Sequence, residues 1–395
     1  MSTVQVIGVP NHEALAGSAD AVVVALKSRT APVQQAVDES LAALRWLQAQ
    51  GARQFFFKYC STFDSTDEGN IGPVADALLD EVNETFTIAC PAFPTNKRTI
   101  FRGHLFVGDQ LLSDSGMRHH PLTPMTDSNL VGVLGRQSRY EVGLVDWEAV
   151  NRGSVSIAAE FETLRDAGYR YGVVDAICDD DLVSIGSALS GLKLITGGSG
   201  VALGLPDNYR CEKLIGAPIP VELPDAPGAQ AVLCGSCSVR TLEQVATMKA
   251  RYPSYEIDPL ALGEEENTVD NIVDWAEDHI GVSPFLIYSS APPDRVSEIQ
   301  AAAGKVDIGH RIEQTLGQVA IKLVDKGITQ LVVAGGETSG AVVQALGVKA
   351  LKIGPEIDPG VPWTETVGTH RLALALKSGN FGGVDFFEKS LGMLK

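Results

Sequence analysis

A glycine turn between an apolar run and a helical pattern is the first feature with chemical meaning. Residues 331–334 read LVVA, as in a buried parallel strand, and after Gly335 and Gly336 the apolar spacing becomes that of a helix. Two glycines let the backbone approach an anion closely, Thr338 or Ser339 can cap the helix, and the free amides of its first turn face the ligand. The turn therefore predicts phosphate binding. The alternative is an ordinary strand-to-helix connection, because the lysine of a Walker motif is absent.

Two further turns of small residues follow predicted strands in the same part of the chain. Ser236 lies in CGSCS after a strand at residues 231–234, and Gly379 and Asn380 follow a strand at residues 371–376. Ligands of open α/β sheets bind at the carboxyl ends of strands, where such turns meet. We therefore expect these turns to converge with the Gly335 turn, which includes Glu337, on one nucleotide.

Polar residues cluster at the end of a strand predicted at residues 55–60. They are Lys58, Asp64, Ser65 and Thr66. A lysine can neutralise a carboxylate and an aspartate can orient a hydroxyl, so this group predicts binding of a polyhydroxy acid. The alternative is a solvated turn stabilised by Asx and Ser/Thr caps. Spacing alone leaves both readings open.

The segment from residue 96 to residue 129 has no clear periodicity and is predicted to be a functional loop. It holds side chains that bind anions or move protons near neutral pH: Arg102, His104, Arg118, His119 and His120. Most surface residues of these types do neither. The chain has no HExxH spacing and no GxSxG elbow, so the sequence supports neither a protein-held zinc ion nor a serine hydrolase, and it assigns no metal ligand.

Strands and helices alternate along most of the chain. Strands are predicted at 3–9, 21–26, 55–60, 85–89, 171–176, 231–234, 284–288, 331–334, 350–353 and 371–376, and helices at 32–49, 74–82, 155–167, 181–189 and 314–326. This order predicts an α/β fold of two domains, each with a largely parallel sheet flanked by helices. Five prolines between residues 205 and 230 indicate a linker, so the domains are predicted at 1–227 and 228–395. The run GGSGVALG at 197–204 does not clearly follow a strand, which leaves the chain without a dinucleotide fingerprint.

Composition narrows the class of protein. The 395 residues are 45% hydrophobic and 20% charged, and a chain of this length favours two domains. The formal charge of -18 argues against a nucleic-acid partner. No apolar run approaches the ~20 residues of a membrane span and no signal peptide or leader is recognised, so we expect a cytoplasmic enzyme without a membrane partner. The cysteines are few and scattered, and the CxxC pair Cys234 and Cys237 lacks the second pair of a zinc site.

Five longer motifs together resemble the four-carbon acid sugar kinases, and among them the 3-oxo-tetronate branch. The motifs are KYCSTFDSTDEGNIGPVADALLDE, CPAFPTNKRTIFRGHLFVGDQLLSDSGMRHHPLTPMTDSNLV, VVAGGETSGAVVQALGV, IGPEIDPGVPW and ALKSGNFGGVDFF. Their order and combination are specific, and the resemblance covers nearly the whole chain. The HPLTPMTDSNL stretch is more similar to the 3-oxo-tetronate branch than to the threonate or erythronate branches.

The resemblance implies an N-terminal sugar-acid-binding domain and a C-terminal nucleotide-binding domain. The implied reaction transfers the γ-phosphoryl group of ATP, with Mg2+, to the 4-hydroxyl of 3-oxo-tetronate. Matched motifs imply an ATP site at Ser236, Gly335, Gly336, Glu337, Thr338, Gly379 and Asn380. They imply a sugar-acid site at Lys58, Asp64, Ser65, Thr66, Arg102, Arg118, His119 and His120, with Asp64 as the candidate general base.

One motif of the resembled family is missing from the sequence. Members usually begin with a strand and an Asp-Asp-x-Thr-Gly-Ala turn, roughly two dozen residues ahead of the first strand here. Three alternatives therefore stay open: a threonate or erythronate 4-kinase, a catalytically silent protein that binds a sugar acid and a nucleotide, and a nicotinamide-dependent oxidoreductase. The missing dinucleotide fingerprint weakens the last of these. The sequence does not determine the oligomeric state, and a homo-oligomer also stays open.

Overall fold

The chain divides into two units in the computed structural model, which describes residues 1–10, 19–120, 122–260, 262, 268–292, 295, 298, 307–368 and 371–394. The first unit consists mainly of Val24–Pro218, and the second mainly of Ile219–Lys395, to which Ser2–Ile7 is added. Within these ranges no helix is long and apolar enough to cross a membrane.

Short strands and helices alternate through both units. In chain order the strands are β1 (Thr3–Ile7), β2 (Ala21–Ala25), β3 (Phe55–Lys58), β4 (Thr87–Cys90), β5 (Arg98–Phe101), β6 (His104–Val107), β7 (Gln110–Leu111), β8 (Val142–Val145), β9 (Tyr171–Val174), β10 (Leu194–Gly197), β11 (Ala229–Cys234), β12 (Ser254–Glu256), β13 (Phe285–Tyr288), β14 (Ile328–Ala334), β15 (Ala350–Asp358), β16 (Val361–Val367) and β17 (Ala373–Lys377). The helices are α1 (Val33–Ala49), α2 (Ile71–Glu81), α3 (Leu130–Gln137), α4 (Trp147–Asn151), α5 (Ser154–Asp166), α6 (Asp179–Ala188), α7 (Leu205–Cys211), α8 (Val239–Lys249), α9 (Thr268–Glu277), α10 (Ile308–Asp325), α11 (Gly336–Ala345) and α12 (Phe386–Met393). The elements predicted from apolar spacing are present, most with bounds that differ by a few residues.

The first unit is built on a sheet of five parallel strands in the order β3-β10-β4-β9-β8. Strands β4, β9 and β10 are buried at every position, as expected where helices cover both faces of a parallel sheet. Residues from α1 to α7 complete the surrounding core. Lys58 pairs with Gly197, and Gly197 pairs with Cys90, so three neighbouring strands end at one edge.

Part of the segment predicted as a loop is regular structure. Strands β5, β6 and β7 form an antiparallel sheet, and Gly116–His119 is a short 3-10 helix. Ile100 and Leu105 are fully buried, so the segment contributes to the core. The prediction was wrong here because strands this short do not display a readable alternation of apolar and polar residues.

The second unit contains a nine-stranded sheet in the order β12-β13-β11-β14-β17-β16-β15-β1-β2. Five neighbouring strands, β12, β13, β11, β14 and β17, are parallel. Strands β16, β15 and β1 continue the sheet, and each pairs with its neighbour in antiparallel fashion. The expected α/β class with largely parallel sheets is confirmed, but the antiparallel extension was not predicted. Strand β1 lies within the predicted first domain by its position in the chain, yet it pairs with β15 of the second sheet.

The central strands of this sheet are covered on both faces, because successive side chains point to opposite sides. Leu233 and Val333 belong to a core that includes residues of α9, α10 and α11. Cys234 and Ala334 belong to a second core that includes residues of α8 and α12. The ends of β11, β14 and β17 are therefore fixed by helices from both sides.

Candidate functional site

Three neighbouring strands of the second sheet end at the same level. Cys234 at the end of β11 pairs with Ala334 at the end of β14, and Ala334 pairs with Lys377 at the end of β17. The turns that follow are bonded to adjacent strands. The Gly235 amide donates to the Ala334 carbonyl at 3.1 Å, and the Gly335 amide donates to the Lys377 carbonyl at 2.8 Å. The structure thus brings the three small-residue turns together.

Glycine leaves room where these turns touch. Gly335 has a φ of 127°, and a Cβ atom there would lie 2.7 Å from Thr338 Oγ1. A Cβ atom at Gly235 would lie 2.4 Å from the same oxygen, and one at Gly379 would lie 2.6 Å from Ser236 Oγ. A side chain at any of these positions would force the neighbouring hydroxyl to move, and the φ of Gly335 in addition favours glycine there.

Helix α11 begins at Gly336 with Gly335 as its N-cap, and no side chain caps it. The prediction that Thr338 or Ser339 caps the helix was wrong, because both residues lie inside the first turn. Thr338 is buried, and Ser339 Oγ donates to the Val333 carbonyl at 3.4 Å. The first amides of the helix therefore lack a side-chain partner, which is the arrangement that binds anions.

A pocket of about 240 Å³ opens at the start of α11. Residues of two turns and the first part of α10 line it: Gly235, Ser236, Gly309, Ile312, Glu313, Gly335, Gly336, Glu337 and Thr338. Ile312 supplies an apolar surface, and two carboxylates stand beside the amides. Complete ligand pockets occupy roughly 300–1,000 Å³, so this one is sized for a fragment of a nucleotide.

In the first unit, the turn after β3 has an unusual backbone. Phe63 and Asp64 have φ values of 63° and 48°. Such angles are uncommon for residues other than glycine, and strained positions of this kind collect at functional sites. Asp64 is buried, receives a hydrogen bond from the Thr62 hydroxyl at 2.6 Å, and lies 3.3 Å from Arg29 Nη1. The turn therefore holds a buried carboxylate against a guanidinium group.

Gln137 fastens the next residues of this turn. Its Nε2 donates to Ser65 Oγ at 3.0 Å and to the Thr66 carbonyl, and its Oε1 accepts a hydrogen bond from the Gly72 amide at 2.9 Å. The end of α3 is thereby joined to the turn and to the first turn of α2.

Asn70, the N-cap of α2, fastens the segment that carries Arg29. Its Nδ2 donates to the Ser28 carbonyl at 2.7 Å and to the Ala31 carbonyl at 3.1 Å. These bonds fix the backbone on both sides of Arg29 and direct its guanidinium group to Asp64.

Lys58 lies at the same edge of the first sheet. Desolvation lowers the pKa of Lys58, and the Arg29 guanidinium acts in the same direction, whereas Cys60 and Asp64 oppose it. The Lys58 side chain is exposed, so solvent screens these interactions. Two cations and one carboxylate therefore interact at the end of β3.

Arg102 has carboxylate partners elsewhere. It forms an ion pair with Glu148, and its Nη1 lies 3.8 Å from Asp146 Oδ2. His104 Nδ1 lies 2.8 Å from the Arg102 carbonyl. Among the described contacts, none joins Arg102 to the turn that carries Asp64, so its role in binding an acid stays a prediction.

Arg118, His119 and His120 also stay predictions. Arg118 Nη1 donates to the Ser113 carbonyl at 3.1 Å, and His120 Nδ1 lies 2.9 Å from Thr123 Oγ1. The His119 side chain is exposed. The hydrogen-bond partners described for Arg118 and His120 are thus within five residues of each in the chain.

The glycine run at 197–204 follows β10, contrary to the sequence interpretation. A Cβ atom at Gly197 would lie 2.5 Å from the Cys90 carbonyl oxygen, and one at Gly198 would lie 2.6 Å from that of Pro91. These glycines allow one backbone to pack against another. The strand was missed because four residues are too few to reveal a period.

The CxxC pair forms no disulfide. Cys234 Sγ lies 3.0 Å from Ser290 Oγ, and Cys237 Sγ accepts a hydrogen bond from the Ala291 amide at 3.5 Å. Burial raises the pKa of the Cys234 thiol to about 11. Cys234 therefore acts as a neutral packing residue.

The described residues contain no group of three or more His, Cys, Asp or Glu side chains that could hold a metal ion. Nucleotide-bound Mg2+ takes most of its ligands from phosphates and water, and it needs only one or two carboxylates. Glu313 and Glu337 stand in the pocket wall. The donor set therefore fits an ion that arrives with a nucleotide.

Sequence reasoning missed four residues that shape these sites: Arg29, Asn70, Gln137 and Lys377. A lysine that ends an apolar strand was the available signal for Lys377. The other three lie in separate segments, and no local pattern connects them to the site.

Two family models match the chain. The sugar-binding N-terminal domain matches residues 1–205, and the nucleotide-binding C-terminal domain matches residues 231–387. A 3-oxo-tetronate kinase of Burkholderia multivorans is 56% identical over 395 residues, covering 100% of this chain and 92% of that protein. The 3-oxo-tetronate kinase of Pseudomonas fluorescens is 52% identical over 396 residues, with the same coverage of both chains.

Solved structures are also similar. A crystal structure of a Haemophilus influenzae protein has a TM-score of 0.84 and 45% identity, and one of a Salmonella typhimurium protein described as a putative tRNA synthase has a TM-score of 0.91 and 40% identity. Each comparison covers 100% of this chain and 94% of the other. The resemblance recognised in the sequence is confirmed, and the chain belongs to the four-carbon acid sugar kinase family.

Proposed function

We propose that this protein is an ATP-dependent kinase that phosphorylates the 4-hydroxyl of 3-oxo-tetronate. The observation that carries the proposal is the meeting of three small-residue turns at the ends of β11, β14 and β17, beside an uncapped helix start. Such an arrangement suits the phosphates of a nucleotide. Relatives that align over this whole chain are named 3-oxo-tetronate kinases, which supports the choice of acceptor.

The nucleotide side of the proposal assigns residues 228–395 to ATP. Amides of Gly336, Glu337 and Thr338 would bind phosphate oxygens, and Ser236 with the Gly379 turn would close the opposite side. Glu337 and Glu313 would hold Mg2+. When bound, the ion neutralises charge on the phosphates that react.

The acid side of the proposal assigns residues 1–227 to the sugar acid. Arg29 and Lys58 would bind its carboxylate, since both are cations that interact with Asp64. The Ser65 and Thr66 hydroxyls would bind its hydroxyl groups. Asp64 would accept the proton of the attacking 4-hydroxyl, and its hydrogen bond from Thr62 would hold the carboxylate in one orientation.

A coupled assay of acid-dependent ADP release tests this proposal. The panel contains 3-oxo-tetronate, threonate and erythronate, each in both stereochemical series, and a blank without acid corrects for ATP hydrolysis. The assay is run on this chain and on a version extended at its N-terminus by the strand and Asp-Asp-x-Thr-Gly-Ala turn of the family. We expect release with 3-oxo-tetronate to exceed that with the other acids by at least about tenfold.

Other outcomes would change the assignment. Faster release with threonate or erythronate would move the protein to another branch of the family. Binding of both ligands by calorimetry, without acid-dependent release from either version, would identify a silent binding protein.

A further inference from the structure

Lys377 is a charged residue in the interior of the second unit. It is the last residue of β17, and its side chain is 0% exposed. Its position along the strand gives it the orientation of Ala375, which belongs to the core shared with α8 and α12. A lysine is almost never fully buried unless its ammonium group is paired, so this one calls for a specific partner.

The partners of Lys377 belong to the turn that follows it and to α8. Its Nζ donates to the Gly379 carbonyl at 2.8 Å, to the Ser378 carbonyl at 3.0 Å and to Thr241 Oγ1 at 3.1 Å. Thr241 Oγ1 in turn donates to the Gly379 carbonyl at 2.8 Å. An ammonium group has three hydrogens, so this set uses its full capacity to donate.

Gln244, which is fully buried in α8, holds the later residues of the loop that follows β17. Its Nε2 donates to the Phe381 carbonyl at 3.0 Å and to the Gly383 carbonyl at 2.8 Å. Carbonyls of the loop from residue 378 to residue 383 are therefore drawn toward Lys377 and α8.

Planarity of the peptide bond gives this arrangement a consequence for the amides. In a trans peptide, the carbonyl of one residue and the N–H of the next point in opposite directions. Because Lys377 holds the Ser378 and Gly379 carbonyls, the N–H groups of Gly379 and Asn380 point away from it. Neither amide donates to another described residue. Gly379 also lies against Ser236, so these amides belong to the meeting point of the three turns.

We infer that Lys377 is a positioning residue for nucleotide binding: its ammonium group holds the Ser378 and Gly379 carbonyls so that the amides of Gly379 and Asn380 face a phosphate of the nucleotide. The inference rests on the proposed function, because it requires a nucleotide at the three turns. Lys377 acts through the loop and does not itself touch the ligand.

The ionisation of Lys377 should make nucleotide binding depend on pH, which a purely structural role would not do. Burial lowers the pKa of Lys377 to about 8, and the Arg240 guanidinium acts in the same direction. A neutral amine has one hydrogen fewer than the ammonium group, so one of its three acceptors, the two carbonyls and Thr241 Oγ1, loses a donor. A bound phosphate favours the charged lysine and raises its pKa, so the contribution to binding is complete below about pH 8 and is lost as the pH rises.

Calorimetry with MgADP on the full chain tests the role directly. Lys377→Met keeps the length of the side chain and removes the charge, and we expect its Kd for MgADP to rise about tenfold or more. The KM for the sugar acid should change less than about twofold. Lys326→Met removes an exposed lysine that pairs with Glu277 and serves as the matched control, with an unchanged Kd.

A second pair of variants covers the case in which Lys377→Met does not fold. Thr241→Val keeps the shape of the side chain but removes the hydroxyl that joins Lys377 to the Gly379 carbonyl, and we expect a rise in Kd of about threefold to tenfold. Thr241→Ser restores the hydroxyl and should restore the affinity. Unchanged affinity in folded Lys377→Met, or in Thr241→Val when the first variant does not fold, would overturn the inference.

The pH profile of the original protein needs no folded variant at Lys377. We expect the Kd for MgADP to increase between pH 8 and pH 9.5, with the same increase in Cys237→Ser, which removes the thiol that follows Ser236 in the turn after β11. A Kd that stays flat across this range would contradict the role of the ammonium group. A chain that binds no MgADP at any pH would instead remove the proposed function, so the two failures are distinguishable.

Discussion

The two candidate anion sites of this protein are built from different parts of the chain. In the second unit, glycines at positions 235, 335 and 379 let backbone turns meet, and backbone amides are left to face a ligand. In the first unit, Phe63 and Asp64 of the turn after β3 adopt left-handed conformations although neither is glycine. Side-chain bonds from Thr62, Arg29 and Gln137 hold that turn in place.

The difference indicates two ways to bind an anion. Backbone amides bind any phosphate, and their main requirement is room for close approach. Charged and hydroxyl side chains can distinguish one small acid from another, and they keep a strained backbone in place through their own bonds. Activity should therefore be sensitive to side-chain chemistry at the site in the first unit. At the site in the second unit, it should be sensitive to the addition of a single carbon atom to a glycine.

The largest expected effect comes from Asp64→Asn. Asparagine tolerates a left-handed backbone, so the substitution removes the charge and leaves the turn intact. Loss of a general base lowers kcat by about 10²–10⁴-fold, and the KM for ATP should stay unchanged. Steady-state kinetics with each substrate varied measures both.

Asp67→Asn is the matched control for that variant. Asp67 is exposed and forms an ion pair with Arg136, so its loss should leave kcat within about twofold. A kcat for Asp64→Asn as high as that of the control would exclude Asp64 as the base.

Next in size is Gly335→Ala, set against Gly392→Ala, which lies in α12 and does not line the pocket. The first substitution places a Cβ atom 2.7 Å from Thr338 Oγ1 at a φ of 127°, whereas the second meets nothing within 4 Å. We expect the KM for ATP to rise about 100-fold in the first variant and less than about threefold in the second. Equal effects in the two variants would refute the argument that the turn needs room for close approach.

A smaller effect is expected from Arg29→Met. The Arg29 side chain is 60% exposed and its guanidinium lies 3.3 Å from Asp64, so it is available to a carboxylate ligand. Loss of one charge-assisted contact should raise the KM for the sugar acid about tenfold, and Arg29→Lys should recover part of it. An unchanged KM in Arg29→Met would show that Lys58 alone serves the acid.

An effect on stability, with no direct effect on the chemical step, is expected from Asn70→Ala, which removes both bonds to the segment that carries Arg29. We expect a loss of about 1–3 kcal/mol in the free energy of unfolding, because two backbone carbonyls lose their donor. Asn151→Ala, at the exposed end of α4, should change it by less than about 0.5 kcal/mol. Urea denaturation compares the two variants. Equal free energies of unfolding would show that Asn70 does not stabilise the segment that carries Arg29.

The nucleotide side could be predicted from sequence because its signals are local. An apolar run followed by glycine marks each strand end, and the parallel order places those ends on one edge. The helix caps proposed at Thr338 and Ser339 were wrong because one residue more or less decides whether a hydroxyl lies at the cap or inside the first turn.

The residues that hold the candidate sugar-acid site in place could not be predicted from the sequence. Arg29, Asn70 and Gln137 come from separate segments, and only the folded chain brings them to Asp64 and Ser65. Arginine, asparagine and glutamine at scattered positions look like any surface residues in a sequence. The left-handed backbone at Phe63 has no signature either, because the residue types that usually mark it are glycine and asparagine.

The most direct test of the account is a 31P NMR spectrum of the products of this chain, and of its N-terminally extended version, with MgATP and 3-oxo-tetronate. Transfer to the 4-hydroxyl puts the phosphorus next to a CH2 group, so we predict a phosphomonoester signal split into a triplet. A doublet would place the phosphoryl group on the 2-hydroxyl. Signals of inorganic phosphate and ADP without a phosphomonoester signal, or an unchanged ATP spectrum, would contradict the account.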